Sequence, residues 1–287
     1  MRLDGIHHVT CITGDAPQNV DYYTGTLGLR LVKKSVNQDD PTVYHLFYAD
    51  EQGDPGSDIT FFEYPGAEPG RAGAGMIHTI VWRVGSEEAL EFWRDRVGGV
   101  PFTDPEGLRH DLVVADVPDA PLIAEHPEIP RELALQGFDG VRAYASDLGR
   151  NTAFLEALAF EDGKTRGATR GGWIGYEQAP GTGVSGAGTV HHVAWACPMD
   201  EHEAWRQRVI EAGGRPTPII DRFWFHSIYF REPNGVLFEI ATLGPGFAAD
   251  EDPAHLGEAL ILPPAFEHLR SQVEPLLTPL PNPRVRV

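Results

Sequence analysis

Cysteine is nearly absent from the 287 residues: Cys11 and Cys197 are the only two. Two cysteines do not make a disulfide framework, and they are read as buried, reduced thiols. Long apolar runs are missing as well. No stretch approaches the roughly 18 residues that a membrane-spanning helix needs, so no membrane partner is expected. Positive charge is scarce: 23 Lys and Arg stand against 42 Asp and Glu, a net charge of −19. That balance, with no basic stripe, argues against nucleic acid or an anionic membrane surface as a partner. The opening Met1-Arg2-Leu3-Asp4-Gly5 lacks the apolar core of a signal peptide, and the expected compartment is the cytoplasm. The apolar and charged fractions, 41% and 23%, are those of a globular protein. Its length suits two domains or a pseudo-symmetric pair of units, and a homo-oligomer is left open.

Histidine is plentiful by contrast, with 12 residues, and four of these fall in two adjacent pairs. Gly5-Ile6-His7-His8-Val9-Thr10 opens the chain, and Gly188-Thr189-Val190-His191-His192-Val193-Ala194-Trp195 opens a later segment. Gly75-Met76-Ile77-His78-Thr79-Ile80-Val81-Trp82 repeats the second phrase almost word for word. Recurrence of this kind marks internal repeats. Each repeat starts with a short β-type run, then a helical segment, then further strands.

The pattern predicts an α+β fold of four βαβββ modules, at about 5–66, 75–118, 138–180 and 188–245. In domain terms, residues 1–135 form an N-terminal pair, 136–245 a C-terminal pair, and 246–287 a tail with a short helix over 265–277. In the first module Asp15 is a helix N-cap, Pro17 sits early in the helix, and strands follow at 29–35, 43–49 and 59–64. Ser86 caps the second helix, which stops at Gly98-Gly99. Residues 181–188 are glycine-rich but lack the Lys-Ser/Thr of a phosphate loop, so they read as a linker. In register, the place of the second histidine is taken by His8, Thr79, Ala143 and His192. Only the first and fourth modules put a good metal ligand there. One metal would therefore require modules 1 and 4 to share a cleft, leaving 2 and 3 to pair.

Glu239 supplies the third donor. It lies in the apolar run Leu237-Phe238-Glu239-Ile240-Ala241, where an isolated charge would be costly to bury and a cation would compensate it. Alternation along a strand sends His7 and His8 to opposite faces, and likewise His191 and His192. One of each pair then enters the cleft. Two imidazoles and a carboxylate with open positions suit Fe(II), and the same donors accept Mn(II), Zn(II), Ni(II) or Co(II). Phe61-Phe62-Glu63-Tyr64 parallels the Glu239 run, so Glu63 is a candidate fourth ligand. Pro65 and Gly66 put it at a strand end, where a rim position is expected instead.

At these residues the chain resembles the vicinal oxygen chelate superfamily, which contains glyoxalase I and extradiol dioxygenases. It is most similar to the hydroquinone ring-cleaving dioxygenase branch, above all over residues 221–247. The resemblance implies four βαβββ modules, Fe(II) on His8, His192 and Glu239, and a pocket lined by Arg222 and Tyr229. It places His7 and His191 beside or behind the ligands. The implied reaction is ring cleavage of a small dihydroxybenzene by O2. Chemically, Tyr229 can donate a hydrogen bond, Arg222 is a fixed cation for an anionic oxygen, and His191 could act as acid or base. Phe223, Trp224 and Phe225 are candidate aromatic walls. The alternatives are a glyoxalase-type isomerase or lyase that also uses Glu63, and a non-catalytic small-molecule-binding protein of the same fold. His226 has strand parity opposite to Tyr229 and is left out of the site.

Overall fold

The computed structural model describes residues 1–280 and 282–285. The first unit contains β1 (Ile6–Thr13), α1 (Ala16–Val20) continued by a π-helical turn (Asp21–Thr26), β2 (Arg30–Asn37), β3 (Asp40–Ala49) and β4 (Asp58–Glu63). The second has β5 (Met76–Val84), α2 (Glu87–Val97), β6 (Phe102–Thr103) and β7 (Arg109–Val114). The third has β8 (Phe138–Ala145), α3 (Thr152–Ala157), β9 (Lys164–Arg166) and β10 (Gly171–Gln178). The fourth has β11 (Thr189–Cys197), α4 (His202–Glu211), β12 (Ile220–Asp221), β13 (Phe225–Arg231) and β14 (Leu237–Pro245). The outer units thus carry four strands each, and the middle units three.

The caps sit where the sequence puts them. Asp15 accepts the Gln18 amide at 3.0 Å, and Ser86 accepts that of Ala89 at 3.1 Å. Gly98 ends α2 in the left-handed conformation, φ 77°. Helix α2 turns Ala89, Leu90 and Trp93 inward, and α4 turns Trp205 and Val209 inward. Cys11 and Cys197 are buried, free thiols.

Two sheets result. One has the order β12-β13-β14-β11-β1-β4-β3-β2, the other β6-β7-β5-β8-β10-β9. The first unit therefore joins the fourth through the antiparallel pair β1–β11, and the second joins the third through β5–β8. The two sheets approach closely where each chain segment enters its opening strand. A Cβ on Gly5 (φ +77°) would stand 2.7 Å from the Gly171 carbonyl oxygen, and one on Gly188 (φ +75°) 2.1 Å from that of Glu106. Only glycine fits those two places.

Two expectations change, one about register and one about the tail. In the third unit the pairing of Thr79 with Arg142 and of Val81 with Gly140 mirrors that of His8 with Ala194 and of Thr10 with His192. Gly140, not Ala143, therefore takes the place of His192. The conclusion that the middle units offer no imidazole there is unaffected. The tail departs too. Residues 265–277 form short consecutive turns, Glu267–Leu269, Arg270–Val273 (α5) and Glu274–Leu276, in place of one helix. Pro275 has no amide hydrogen to continue the ladder. The tail is nonetheless firmly held. The fully buried Lys33 ammonium donates to Asp250 at 2.7 Å and to the Phe247 carbonyl at 3.1 Å. Among the described residues no helix is long and apolar enough to cross a membrane.

Candidate metal centre and aromatic pocket

The seam between β1 and β11 carries two irregularities, one in each histidine pair. Ile6 pairs with Trp195 and His8 with Ala194, so His7 has no counterpart. Thr10 pairs with His192 and Cys11 with Val190, so His191 has none. Each is a β-bulge, an extra residue that re-aims its neighbours. Strict alternation would set the members of each pair on opposite faces, and here the bulges override it. His7 Nδ1 and His8 Nδ1 lie 2.9 Å apart, and His191 Nδ1 and His192 Nδ1 2.8 Å apart.

These contacts fix the tautomers. His7 Nε2 lies 3.1 Å from the Thr242 carbonyl oxygen, which can only accept, so the hydrogen is on Nε2. Burial first, and His8 beside it, lower the His7 pKa to about 3, so its ring is neutral and its Nδ1 is bare. His8 must then donate from Nδ1, and its Nε2 faces Glu239; burial alone would lower the His8 pKa, but Glu239 raises it, so a proton on Nε2 is what a metal ion would replace. The repeat-related contact allows the same arrangement, with His192 donating to His191. His191 reaches the surface on its other side. Burial, then His192 and Arg231, lower its pKa to about 4.

His8, His192 and Glu239 converge at this point. Glu239 Oε2 lies 3.1 Å from His8 Nε2 and 2.9 Å from His192 Nε2, and the two nitrogens are 3.3 Å apart. Oε2 is sealed from solvent and faces these two imidazole nitrogens. Burial alone would raise the Glu239 carboxyl, but His8 and His192 hold it well below its ordinary value. Its other oxygen accepts the Ser227 hydroxyl at 2.5 Å. His8 Nε2, His192 Nε2 and Glu239 Oε2, facing one another across about 3 Å, repel unless a proton or a metal ion lies between them. Separations of 2.9, 3.1 and 3.3 Å are short enough for all three atoms to reach one ion at the roughly 2.1 Å usual for nitrogen and oxygen ligands. The donor set fits a divalent metal, with further positions open.

Glu63 is elsewhere. It is buried at the end of β4 and accepts from the Ala16 amide at 3.2 Å and the Thr278 hydroxyl at 2.9 Å. Register explains why. Glu239 pairs with Ala194, two residues past His192, and the residue paired two past His8 is Thr60. Thr60 is therefore the repeat counterpart of Glu239.

A narrow cleft opens over the cluster, lined among others by His45, Phe47, Phe62, Trp224, Phe225 and Tyr229. Tyr229 pairs with Glu239 across β13 and β14, and its ring centroid is 5.6 Å from that of His192. Arg222 Nε donates to the Tyr229 hydroxyl at 3.3 Å, leaving that hydroxyl's hydrogen free. Burial first, then Glu239, raise the Tyr229 pKa, so the group stays a donor. Arg222 is itself held by both oxygens of Asp39, at 3.2 and 2.9 Å. Phe223 adopts φ +75°, a left-handed turn unusual for an aromatic residue, between Arg222 and Trp224. Trp224 donates to Asp250, which ties the pocket wall to the tail.

His7 and His191 do not line this cleft; His191 borders a second opening on the far side of His192, with Met76, Arg231 and Asn234. His226 lies outside the cleft too, 3.7 Å from Asp221. Two residues near the cluster escaped the sequence reading. Ser227 shares strand parity with Tyr229, so the rule that admitted one could have admitted the other. His45 is the counterpart of Ser227 in the first unit, since Phe47 faces Thr60 as Tyr229 faces Glu239.

Paired units that hold two imidazoles and a carboxylate at their common seam define a metal-site fold of the glyoxalase type. The chain belongs to the Glyoxalase/Bleomycin resistance protein/Dioxygenase superfamily, with residues 5–110 and 137–240 matching the family. Among curated relatives, a Bacillus subtilis protein named "Putative ring-cleaving dioxygenase MhqA" is 38% identical, over 98% of this chain and 100% of its own length. The chlorohydroquinone/hydroquinone 1,2-dioxygenase of Sphingobium indicum is 31% identical over 95% of each chain. A Bacillus subtilis crystal structure described as a "putative dioxygenase" superposes with a TM-score of 0.89 at 36% identity, covering 98% of both chains.

Proposed function

We propose that the protein is a non-haem Fe(II) ring-cleaving dioxygenase whose substrate is a small dihydroxybenzene of the hydroquinone or catechol type. Both atoms of O2 enter the product, an unsaturated ring-opened acid. The observation that carries the reading is the convergence of His8 Nε2, His192 Nε2 and the buried Glu239 Oε2 on one point at the floor of an aromatic cleft. The names of the relatives supply the reaction class. His8, His192 and Glu239 would hold the metal, and the bound metal would supply an electron path between an aromatic diol and dioxygen.

The remaining work falls to the chain. Phe47, Phe62, Trp224 and Phe225 hold the ring and keep water out. Tyr229 directs its free hydroxyl hydrogen at oxygen that becomes anionic during the reaction. Arg222, fixed by Asp39, supplies a permanent positive charge beside it. His7 and His191 act from behind the ligands by accepting their Nδ1 hydrogens, which keeps both Nε2 lone pairs turned inward. The isomerase alternative needs Glu63 at the metal, and Glu63 is bound to Ala16 and Thr278.

The test is anaerobic loading with Fe(II) followed by an oxygen-electrode screen of hydroquinones and catechols. One O2 should be consumed for each ring opened. Iron-loaded protein that consumes no O2 with any diol, yet isomerises a thiol adduct, would replace this reading with the isomerase.

A further inference from the structure

His45 stands in the cleft outside the metal cluster. Its ring is wedged between Phe47, at a centroid distance of 3.9 Å, and Phe62, at 4.4 Å. Its Nε2 lies 2.9 Å from Thr60 Oγ1. Thr60 gives its own hydroxyl hydrogen to Thr10 Oγ1 at 2.8 Å, so toward His45 it accepts. The hydrogen of His45 is therefore on Nε2, and Nδ1 is a bare lone pair. That nitrogen has no partner among the described residues and is not sealed from solvent. Burial first, then His8, His192 and Arg222, hold the imidazole well below its ordinary pKa, so it remains neutral.

The cleft is thus polarised. Arg222 and the free hydrogen of Tyr229 are donors on the β13 side. The Asp39 carboxylate opposite is already engaged with Arg222. His45 presents a neutral acceptor, fixed in place, on the β3 side. A ring oxygen that binds metal gives up its hydrogen, whereas a second hydroxyl keeps one and needs an acceptor.

We propose that His45 Nδ1 accepts a hydrogen bond from the substrate hydroxyl that is not bound to the metal, and that this contact selects a free hydroxyl over an ether. The inference rests on the aromatic-diol reading above. It narrows that reading to substrates carrying a protonated hydroxyl on the His45 side of the ring.

The experiment measures binding without turnover. Fe(II)-loaded protein is titrated anaerobically, by calorimetry, with hydroquinone, catechol and the monomethyl ether of each. The wild type should bind at least one diol about tenfold more tightly than its ether. His45→Phe keeps an aromatic ring in the stack and removes the acceptor, and it should lose about 3- to 10-fold of that preference. His45→Gln, whose amide oxygen can accept, should keep part of it. Thr60→Val frees the imidazole at constant volume and gives the same test if His45→Phe fails to load metal. A wild type without preference, or an undiminished preference in His45→Phe, overturns the role of His45 alone. A wild type that binds no diol overturns the diol reading and this inference together.

Discussion

Replacing Ser227 with alanine removes one hydrogen bond and leaves the metal ligands in place. Ser227 is fully buried, and its hydroxyl donates to Glu239 Oε1 at 2.5 Å. In the variant that oxygen faces a methyl group and has no other donor among the described residues. A hydrogen bond to a charged group is worth about 1.5–3 kcal/mol, so the metal-free protein should lose about that much stability. The same bond fixes the rotation of the carboxylate, and such supporting bonds are typically worth about 10- to 100-fold in metal affinity. Urea unfolding in chelator measures the first effect and competitive metal titration the second. His226→Ala is the control, because that neighbour lies outside the cleft and should leave metal affinity unchanged. Wild-type affinity and an unshifted unfolding midpoint in Ser227→Ala would refute the reasoning.

Three other outcomes follow from the geometry. His7→Phe removes the acceptor for His8 Nδ1 and should weaken metal binding about tenfold while the fold survives, as competitive titration and circular dichroism would show. Tyr229→Phe should keep its metal but lose at least about tenfold in kcat with a smaller change in KM, measured with the best diol of the oxygen-electrode screen. His110 gives a pH signature. Burial lowers its pKa to about 3, so the folded chain leaves it neutral while the unfolded chain protonates it near the ordinary value of 6.5. Below about pH 6.5 the unfolded state binds the extra proton, so this group's contribution falls as pH drops toward 3. Unfolding free energies of His110→Gln, from urea titrations between pH 7 and 4, should decline less steeply than those of the wild type, by up to about 1.4 kcal/mol per pH unit.

Much of the architecture was legible because the repeats announce themselves. The histidine pairs at 7–8 and 191–192, with no equivalent imidazole pair at 78–79 or in the third unit, were enough to set the first unit beside the fourth. The sheet order bears that out. The same two pairs hid their own geometry. A two-residue period cannot show a bulge, and the bulges at His7 and His191 are what turn each pair into a ligand with its support. Glu63 drew notice because Phe-Phe-Glu resembles Leu-Phe-Glu; it is not a ligand, but it is buried where a rim position was expected, and strand pairing puts Thr60 opposite Thr10 and Glu63 opposite Thr13. Word similarity carries no register; hydrogen bonding does. His45 and Ser227 were missed for a different reason. Nothing in the local sequence sets either apart, and what distinguishes it is the partner across the sheet, Thr60 for one and Glu239 for the other.

The central claim is that His8, His192 and Glu239 bind one metal ion. It is tested most directly by metal stoichiometry after anaerobic Fe(II) loading and desalting. Wild-type protein should retain about one iron per chain, and His192→Ala, folded by circular dichroism, should retain essentially none, because two of three ligands cannot hold the ion against exchange. Full iron content in the folded His192→Ala protein would contradict the account.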